Sequence, residues 1–279
     1  MFFFKSPLHS LRKKKYFQRL LTSKLNRPRM CNLGLKFKVA LRPLTHASIL
    51  WKPMRLEPEI QVLIKEIIAL LDKAKDKGYF YDIGANFGWY SWLVCSMAKE
   101  RKILAFEPDP LNLELLAMTK AQAQLKNFKF ERVALSNHAG NQNFFQDSIT
   151  SATGSIATDG KPWIEKYLDL TSKKIKVQTC IMDHYLLENR WPSLIKIDVE
   201  GHEHAVLHGG FETLRHKPIL IIESFPPKQY KVTRLLYDLG YEIADADRRT
   251  PIGEKTTNLI AWHPEGKLSR NIIQGILHS

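Results

Sequence analysis

Apolar and polar positions change rhythm along the chain, and the rhythm assigns most of it to alternating helices and strands. Ile60, Leu63, Ile64, Ile67, Ile68 and Leu71 follow the i, i+3, i+4, i+7 spacing of an amphipathic helix, with Gly78 placed to stop it. Tyr79–Gly84, Lys102–Glu107, Phe128–Leu135, Leu194–Val199, Ile219–Glu223, Tyr241–Ala246 and Leu259–Trp262 read as strands. Trp89–Glu100, Asn112–Leu125, Glu203–Arg215 and Lys228–Leu239 read as the helices between them. Asn143–Asp147 and Ile175–Ile181 read as two more strands, flanking a Gly/Ser/Thr-rich loop at Ser148–Gly160. The alternation predicts an α/β fold with a mostly parallel sheet covered on both faces. Sheets of that kind bind ligands beyond the carboxyl ends of their strands. Those ends are Asp82-Ile83-Gly84, Glu107-Pro108, Ala134-Leu135, Asp198-Val199-Glu200 and Glu223, and four of the five carry a carboxylate.

Charge changes this picture only at the start of the chain. The 279 residues, enough for one large α/β domain, carry a net charge of +14. Fourteen Lys and Arg and no acid lie between Met1 and Leu56, so the remainder is balanced at 28 basic and 28 acidic residues. A nucleic-acid enzyme carries its basic surplus on the binding face of its domain, and the body here has none to spare. Residues 1–56 therefore read as a separate basic arm, partly helical or disordered, and residues 57–279 as the domain. Leu8, Leu11, Phe17, Leu20, Leu21 and Leu25, with Arg12, Lys13, Lys14, Lys15 and Arg19 between them, fit a basic amphipathic helix. Such a helix suits an anionic membrane surface, an organellar targeting segment, or an arm docked on the domain.

Cys31, Cys95 and Cys180 are far apart, odd in number and without a CxxC pair, which argues against both a zinc knuckle and a disulfide framework. No apolar run approaches the roughly 20 residues needed to cross a bilayer. The expectation is a cytoplasmic protein, peripheral to a membrane if the arm is a membrane-contacting helix rather than a docked or targeting segment.

Two strand ends carry the strongest chemistry. In Asp82-Ile83-Gly84-Ala85-Asn86-Phe87-Gly88, Gly84 permits a sharp turn and a close ligand approach. Asn86 stands where a dinucleotide fingerprint wants its second glycine, so a pyrophosphate has less room. Asp82 suits an ammonium or hydroxyl better than a phosphate. Glu107 lies 23 positions after Gly84, close to the spacing at which an acid reaches an adenosine ribose. Further on, Asp198 and Glu200 share a face if the strand continues, and His202 opens a helix. That trio is a candidate for deprotonating or orienting an acceptor hydroxyl. His202 with His204 also raises a metal reading, but no third ligand accompanies them, so no metal is expected.

These motifs resemble the FkbM family of S-adenosylmethionine-dependent O-methyltransferases. The similarity runs through Asp82-Ile83-Gly84-Ala85-Asn86 with Gly88, Tyr90 and Ser91, then Phe106-Glu107-Pro108 with Pro110 and Asn112. It continues in Val133-Ala134-Leu135-Ser136 with Gly140, and in Lys196-Ile197-Asp198-Val199-Glu200-Gly201 with Glu203, Val206, Leu207 and Gly209. The resemblance covers roughly residues 78–224. It implies a Rossmann-like class I fold whose seven-stranded sheet has an antiparallel last strand. It also implies S-adenosylmethionine as cofactor, bound by Asp82, Gly84, Asn86, Gly88, Tyr90, Glu107, Ala134 and Leu135. Catalysis falls to Asp198, Glu200 and His202, with Asp198 facing the methyl group. The implied acceptor is a hydroxyl on a sugar, glycan or other natural product, and the loop Ser148–Leu170, with Trp163 and Tyr167, is where specificity is expected. The rival readings are an NAD-type dehydrogenase, a nucleic-acid methyltransferase and a non-catalytic module that keeps the cofactor pocket.

Overall fold

The computed structural model describes residues 20–21, 23–51, 56–146, 154–156, 172–268 and 270–277. Most of the basic helix expected around Leu8–Leu25, and Trp163 and Tyr167, lie outside the described residues. In chain order the strands are β1 (Arg29–Cys31), β2 (Val39–Leu41), β3 (Tyr79–Ile83), β4 (Ile103–Phe106), β5 (Phe128–Glu131), β6 (Ala134–Leu135), β7 (Gly140–Gln146), β8 (Lys173–Cys180), β9 (Pro192–Ile197), β10 (Ile219–Glu223), β11 (Glu242–Asp245) and β12 (Asn258–Trp262). The helices are α1 (Ala47–Trp51), α2 (Pro58–Lys73), α3 (Trp89–Met97), α4 (Pro110–Ala123), α5 (Glu203–His208), α6 (Phe211–Arg215), α7 (Gln229–Asp238) and α8 (Arg270–Leu277).

Seven strands form the central sheet in the order β11-β12-β10-β9-β3-β4-β5. β9, β3, β4, β5 and β10 are mutually parallel, and β12, the last strand, runs antiparallel to both β10 and β11. Every residue of β9 and β4 is buried, as expected where helices cover both faces of a parallel sheet. One face packs under Ile60, Leu63, Ile64 and Ile67 of α2, Trp92 of α3 and Leu116 of α4. The other packs under Val206 and Leu207 of α5, Leu214 of α6, and Val232 and Leu236 of α7. Register sets Ile83 beside Ile197, and Ile197 beside Ile222, so β3, β9 and β10 reach the carboxyl edge together.

The structure departs from the sequence reading most clearly in four places. The first long helix does not wait for Gly78: α2 ends at Lys73, and Lys75 turns the chain with φ 55°. The run Glu203–Arg215 breaks into α5 and α6 at Gly209-Gly210. A Cβ on Gly209 would lie 2.0 Å from the Ser136 carbonyl oxygen, so glycine is kept there for a backbone contact that interrupts the helix. The run Phe128–Leu135 also divides. β5 ends at the sheet edge, and β6 leaves it to pair with β8, giving a small sheet ordered β6-β8-β7. Finally β7 begins at Gly140, earlier than its apolar residues suggest.

Within residues 29–51, β1 and β2 form an antiparallel hairpin. Leu33, Val39, Ala40, Leu41 and Ile49 are buried in the same apolar cluster as α2 and α4. The Ala40 amide donates to Thr119 Oγ1 at 2.9 Å and Arg42 pairs with Glu114, fixing the hairpin to α4. Among the described residues no helix is long and apolar enough to cross a membrane.

Candidate active site

The carboxyl edge of the sheet opens into a pocket of about 590 Å³, mouth included. Its wall is built from the ends of β3 (Gly84, Asn86), β4 (Glu107, Pro108) and β9 (Asp198, Glu200), from Ala134 and Leu135, and from Asn112 and His202. Gly154, Ser155 and Ile156, the described part of the long loop, close one side. Eight of the eleven residues expected at the site therefore meet in one cavity: Gly84, Asn86, Glu107, Ala134, Leu135, Asp198, Glu200 and His202. Asp82, Gly88 and Tyr90 stand behind it.

Gly84 has φ 79°, and a Cβ there would lie 1.9 Å from the Asp198 carbonyl oxygen. The ends of β3 and β9 can touch only because that atom is missing. Behind the turn, buried Asp82 accepts from the Ser91 amide at 2.9 Å and the Ser91 hydroxyl at 2.6 Å. Asp82 thus ties β3 to the first turn of α3, while burial raises its pKa to about 6. Gly88 caps α3 with φ 91°. Tyr90 turns the other way and donates its hydroxyl to Glu57, just before α2.

Glu107 is 4% exposed. Its two oxygens accept from the backbone amides of Asn86, at 2.7 Å, and Asp109, at 2.8 Å, and Asn112 adds a side-chain hydrogen bond. The carboxylate so links the glycine loop to the start of α4. Burial outweighs these donors and pushes its pKa up to about 8. Three of the roughly four acceptor positions of the carboxylate are then used, and one is left for a further donor. Asn112 Oδ1, also in the pocket wall, is buried with no hydrogen-bond partner.

On β9, Lys196 is fully buried and its Nζ lies 3.6 Å from Asp198 Oδ2 and 5.4 Å from the centre of the Tyr90 ring. Asp198, Glu57, Glu223 and Asp82 all act on it, and their attraction overrides burial to raise its pKa. Glu223, at the end of β10, is pushed well above the usual carboxylate range by burial and then by Asp198. His202 Nε2 sits 2.9 Å from Ser136 Oγ, and burial, then Lys228, lower its pKa to about 4, which leaves a neutral ring near pH 7. Glu203 bonds the Gly201 amide at 2.6 Å and holds the turn that carries Glu200 (φ 53°) and Gly201 (φ 94°). Among the described residues, no three His, Cys, Asp or Glu side chains are grouped to hold a metal ion.

Lys196 and Asn112, which the sequence reading quoted as motif residues without a role, and Glu57, which it did not single out, also belong to the site. A lysine inside an otherwise apolar central strand was a signal for the first, because a buried ammonium requires a partner. Glu57 is brought in by tertiary packing of α2, and no local pattern announces it.

The model of the Methyltransferase FkbM domain matches residues 82–243. The chain belongs to the FkbM methyltransferase family. This FkbM methyltransferase is 28% identical over 185 residues, 64% of its own chain and 70% of the relative's, to the hexuronic acid methyltransferase AglP of Haloferax volcanii. Among solved structures, the methyltransferase FkbM of Methylobacillus flagellatus aligns with a TM-score of 0.48 and 16% identity. That alignment covers 67% of this chain and 44% of the other, so the chain spans less than half of that protein. TYW2 of M. jannaschii, solved in complex with AdoMet, aligns with a TM-score of 0.43 and 11% identity over 84% of each chain.

The protein is an S-adenosylmethionine-dependent methyltransferase, and its pocket fits that cofactor. Its polar lining offers acceptors, Glu107 and the unpartnered Asn112 Oδ1, suited to hydroxyl and amino donors. Phe106, Val133, Leu135 and Ile156 supply apolar walls for a flat ring.

Proposed function

We propose that this enzyme methylates a hydroxyl of a sugar or glycan, with Asp198 as the group that meets the acceptor. The observation that carries the reading is the position of Asp198: it lines the cofactor pocket while its carboxylate is held from behind by the buried ammonium of Lys196 at 3.6 Å. The 28% identity to a hexuronic acid methyltransferase supports a sugar as acceptor.

When bound, S-adenosylmethionine supplies a methyl group on a sulfonium, which leaves as a neutral thioether. Glu107 would hold the ribose hydroxyls, the turn from Gly84 to Gly88 the methionyl end, and Ala134 and Leu135 the adenine side. Asp82 supports that turn from behind through Ser91, and Tyr90 does so through Glu57. The acceptor oxygen gains its bond to carbon as its O–H bond breaks, and the proton passes to the Asp198 carboxylate. Lys196 keeps that carboxylate in place, so orientation is set before reaction. His202, neutral and engaged with Ser136, is assigned to shaping the pocket. Glu200 borders the acceptor side of the same wall.

The basic segment that precedes the β1–β2 hairpin is assigned to peripheral contact with an anionic membrane, on the strength of its eight cations and absence of acids between Met1 and Pro28. The reaction is tested by incubating the full chain with tritiated S-adenosylmethionine and a panel of glycosides, and locating the methyl group by mass spectrometry. Label on a carbohydrate hydroxyl is expected. Label on nucleic acid alone, or on an amine alone, contradicts the reading.

A further inference from the structure

Outside the cofactor pocket, α7 borders a concave surface of its own. A groove of about 980 Å³, open to solvent, is lined by Pro226 and Pro227, by Tyr230, Thr233 and Tyr237 of α7, and by Ile252 from the turn between β11 and β12. Tyr230, Thr233 and Tyr237 share one helix face at i, i+3 and i+7, while Val232 and Leu236 turn inward to the core. The two tyrosines are 70% and 52% exposed. At 1.5 Å of rise per residue they stand roughly 10 Å apart along the helix axis. Arg234, also in the wall, donates Nε to Asp238 at 3.0 Å and is hydrogen-bonded to Tyr230, which anchors it beside that ring.

The groove is continuous with the acceptor side of the site. Ile197 and Ile222 are register partners, so the residues that follow them, Asp198 and Glu223, leave the sheet edge together. The short link Ser224-Phe225, whose phenylalanine is exposed, leads from there into Pro226 and Pro227. Lys228 ties the start of α7 to the pocket: its Nζ donates to the Gly201 carbonyl at 3.1 Å, between the pocket residues Glu200 and His202. Large exposed aromatic groups rimmed by polar ones mark a binding surface. A purely apolar partner would match the ring faces but leave the phenol hydroxyls, Thr233 and Arg234 unmatched. An anion would match Arg234 alone, and Asp238 already holds that charge. A sugar matches both: the C–H groups on one face of its ring lie against an aromatic ring, and the hydroxyls at its rim donate and accept toward Thr233, Arg234 and the phenols.

We propose that this groove is a distal subsite for the acceptor: the sugar unit that is methylated lies at Asp198, and units further along the same chain stack on Tyr230 and Tyr237. The substrate class is then a glycan chain rather than a free monosaccharide. The inference rests on the reading of the enzyme as a sugar O-methyltransferase and narrows it. The tyrosines bind and do not react, so the groove supplies affinity for the chain while the chemistry stays at Asp198.

The test uses the full chain, tritiated S-adenosylmethionine and matched acceptors: the methyl glycosides of glucose, mannose, galactose, N-acetylglucosamine and glucuronic acid, and a tetrasaccharide of each. For a sugar that takes label, KM is expected to be at least tenfold lower for the tetrasaccharide than for the methyl glycoside, at similar kcat. Tyr230→Ala and Tyr237→Ala are each expected to raise the tetrasaccharide's KM at least threefold. The double variant should erase the advantage of length, with kcat, the methyl glycoside's KM and Tm unchanged. Tyr230→Phe and Tyr237→Phe keep the ring and should keep most of the advantage. Equal KM values for short and long acceptors overturn the inference and leave the sugar reading standing. So does a length advantage that survives the double variant. Self-association in sedimentation velocity that disappears in the double variant would assign the groove to a second copy of the chain and overturn it as well. Label on no sugar of either length overturns the sugar reading, and the distal subsite with it.

Discussion

Replacing Lys196 with methionine keeps the length and most of the volume of the side chain but removes its charge. The structure sets the size of the effect. Lys196 is fully buried and its Nζ lies 3.6 Å from Asp198, whose side chain is 30% exposed. At the effective dielectric of about 20 that suits such sites, the attraction is about 4.6 kcal/mol. Removing one partner of a buried pair typically costs about 3–5 kcal/mol, because the remaining charge is left uncompensated. Partial exposure of Asp198 screens the pair and places the expectation near ~3 kcal/mol. With an unfolding entropy of about 2.1 cal/mol/K per residue, that lowers Tm by about 5 °C in a chain of this size. The loss also has a pH signature. Lys196 is a positive partner that favours the ionised forms of Glu223 and Asp82, so without it those two carboxyl groups protonate more readily in the folded state. Their protonation relieves the uncompensated charge, and the gap between variant and wild type narrows as pH falls from 8 to 5. Differential scanning calorimetry across that range measures it. Equal Tm values at pH 7.5, or a gap that widens on acidification, would refute the argument that Lys196 is the counter-charge of the site.

Three further outcomes follow from the same geometry. Burial holds the free Glu107 carboxyl near a pKa of about 8, while ribose hydroxyls donate to its ionised form, so cofactor binding must expel a proton below that pH. Affinity for S-adenosylmethionine, measured by calorimetry, should rise with pH up to about 8 and level off above it. Glu107→Gln should flatten that profile and weaken binding by about 10–100-fold, the worth of a charged hydrogen bond. Gly84→Ala places a Cβ 1.9 Å from the Asp198 carbonyl at φ 79°, so β3 and β9 must part. Thermal unfolding should show a loss of about 3 kcal/mol or more and titration should show no cofactor binding. Ser91→Ala removes one of two donors to buried Asp82 at a distance from the pocket. It should lower stability by about 1–3 kcal/mol with a smaller effect on turnover at saturating cofactor.

The elements that could be read from sequence are those whose pattern is set locally. The strands β3, β4, β9 and β10 announce themselves by short apolar runs, and their ends by Gly84, Pro108 and the carboxylates that cannot continue a buried strand. Because a parallel sheet brings such ends to one edge, eight residues read from separate motifs fall in one cavity. Asp82, Gly88 and Tyr90 belong to the same motifs but point behind it, since residues on one turn face different sides. What was hidden depends on distant partners. The break at Gly209 comes from the Ser136 backbone, 73 positions away. The β1–β2 hairpin owes its place to Thr119 and Glu114 on α4, and its own sequence gives only weak strand signal. The carboxylates around Lys196 and Asn258 come from four separate segments, Glu57, Asp198, Glu223 and Asp247, and Asn258 joins two of them.

The central claim is that Asp198 receives the proton of a sugar hydroxyl as a methyl group is transferred. Asp198→Asn, nearly identical in shape, tests it most directly, with initial rates of label transfer from tritiated S-adenosylmethionine to a glycoside acceptor. General-base removal should lower kcat by about 10²–10⁴-fold while cofactor affinity changes little. Full turnover in Asp198→Asn, with unchanged affinity for the acceptor, would contradict the account.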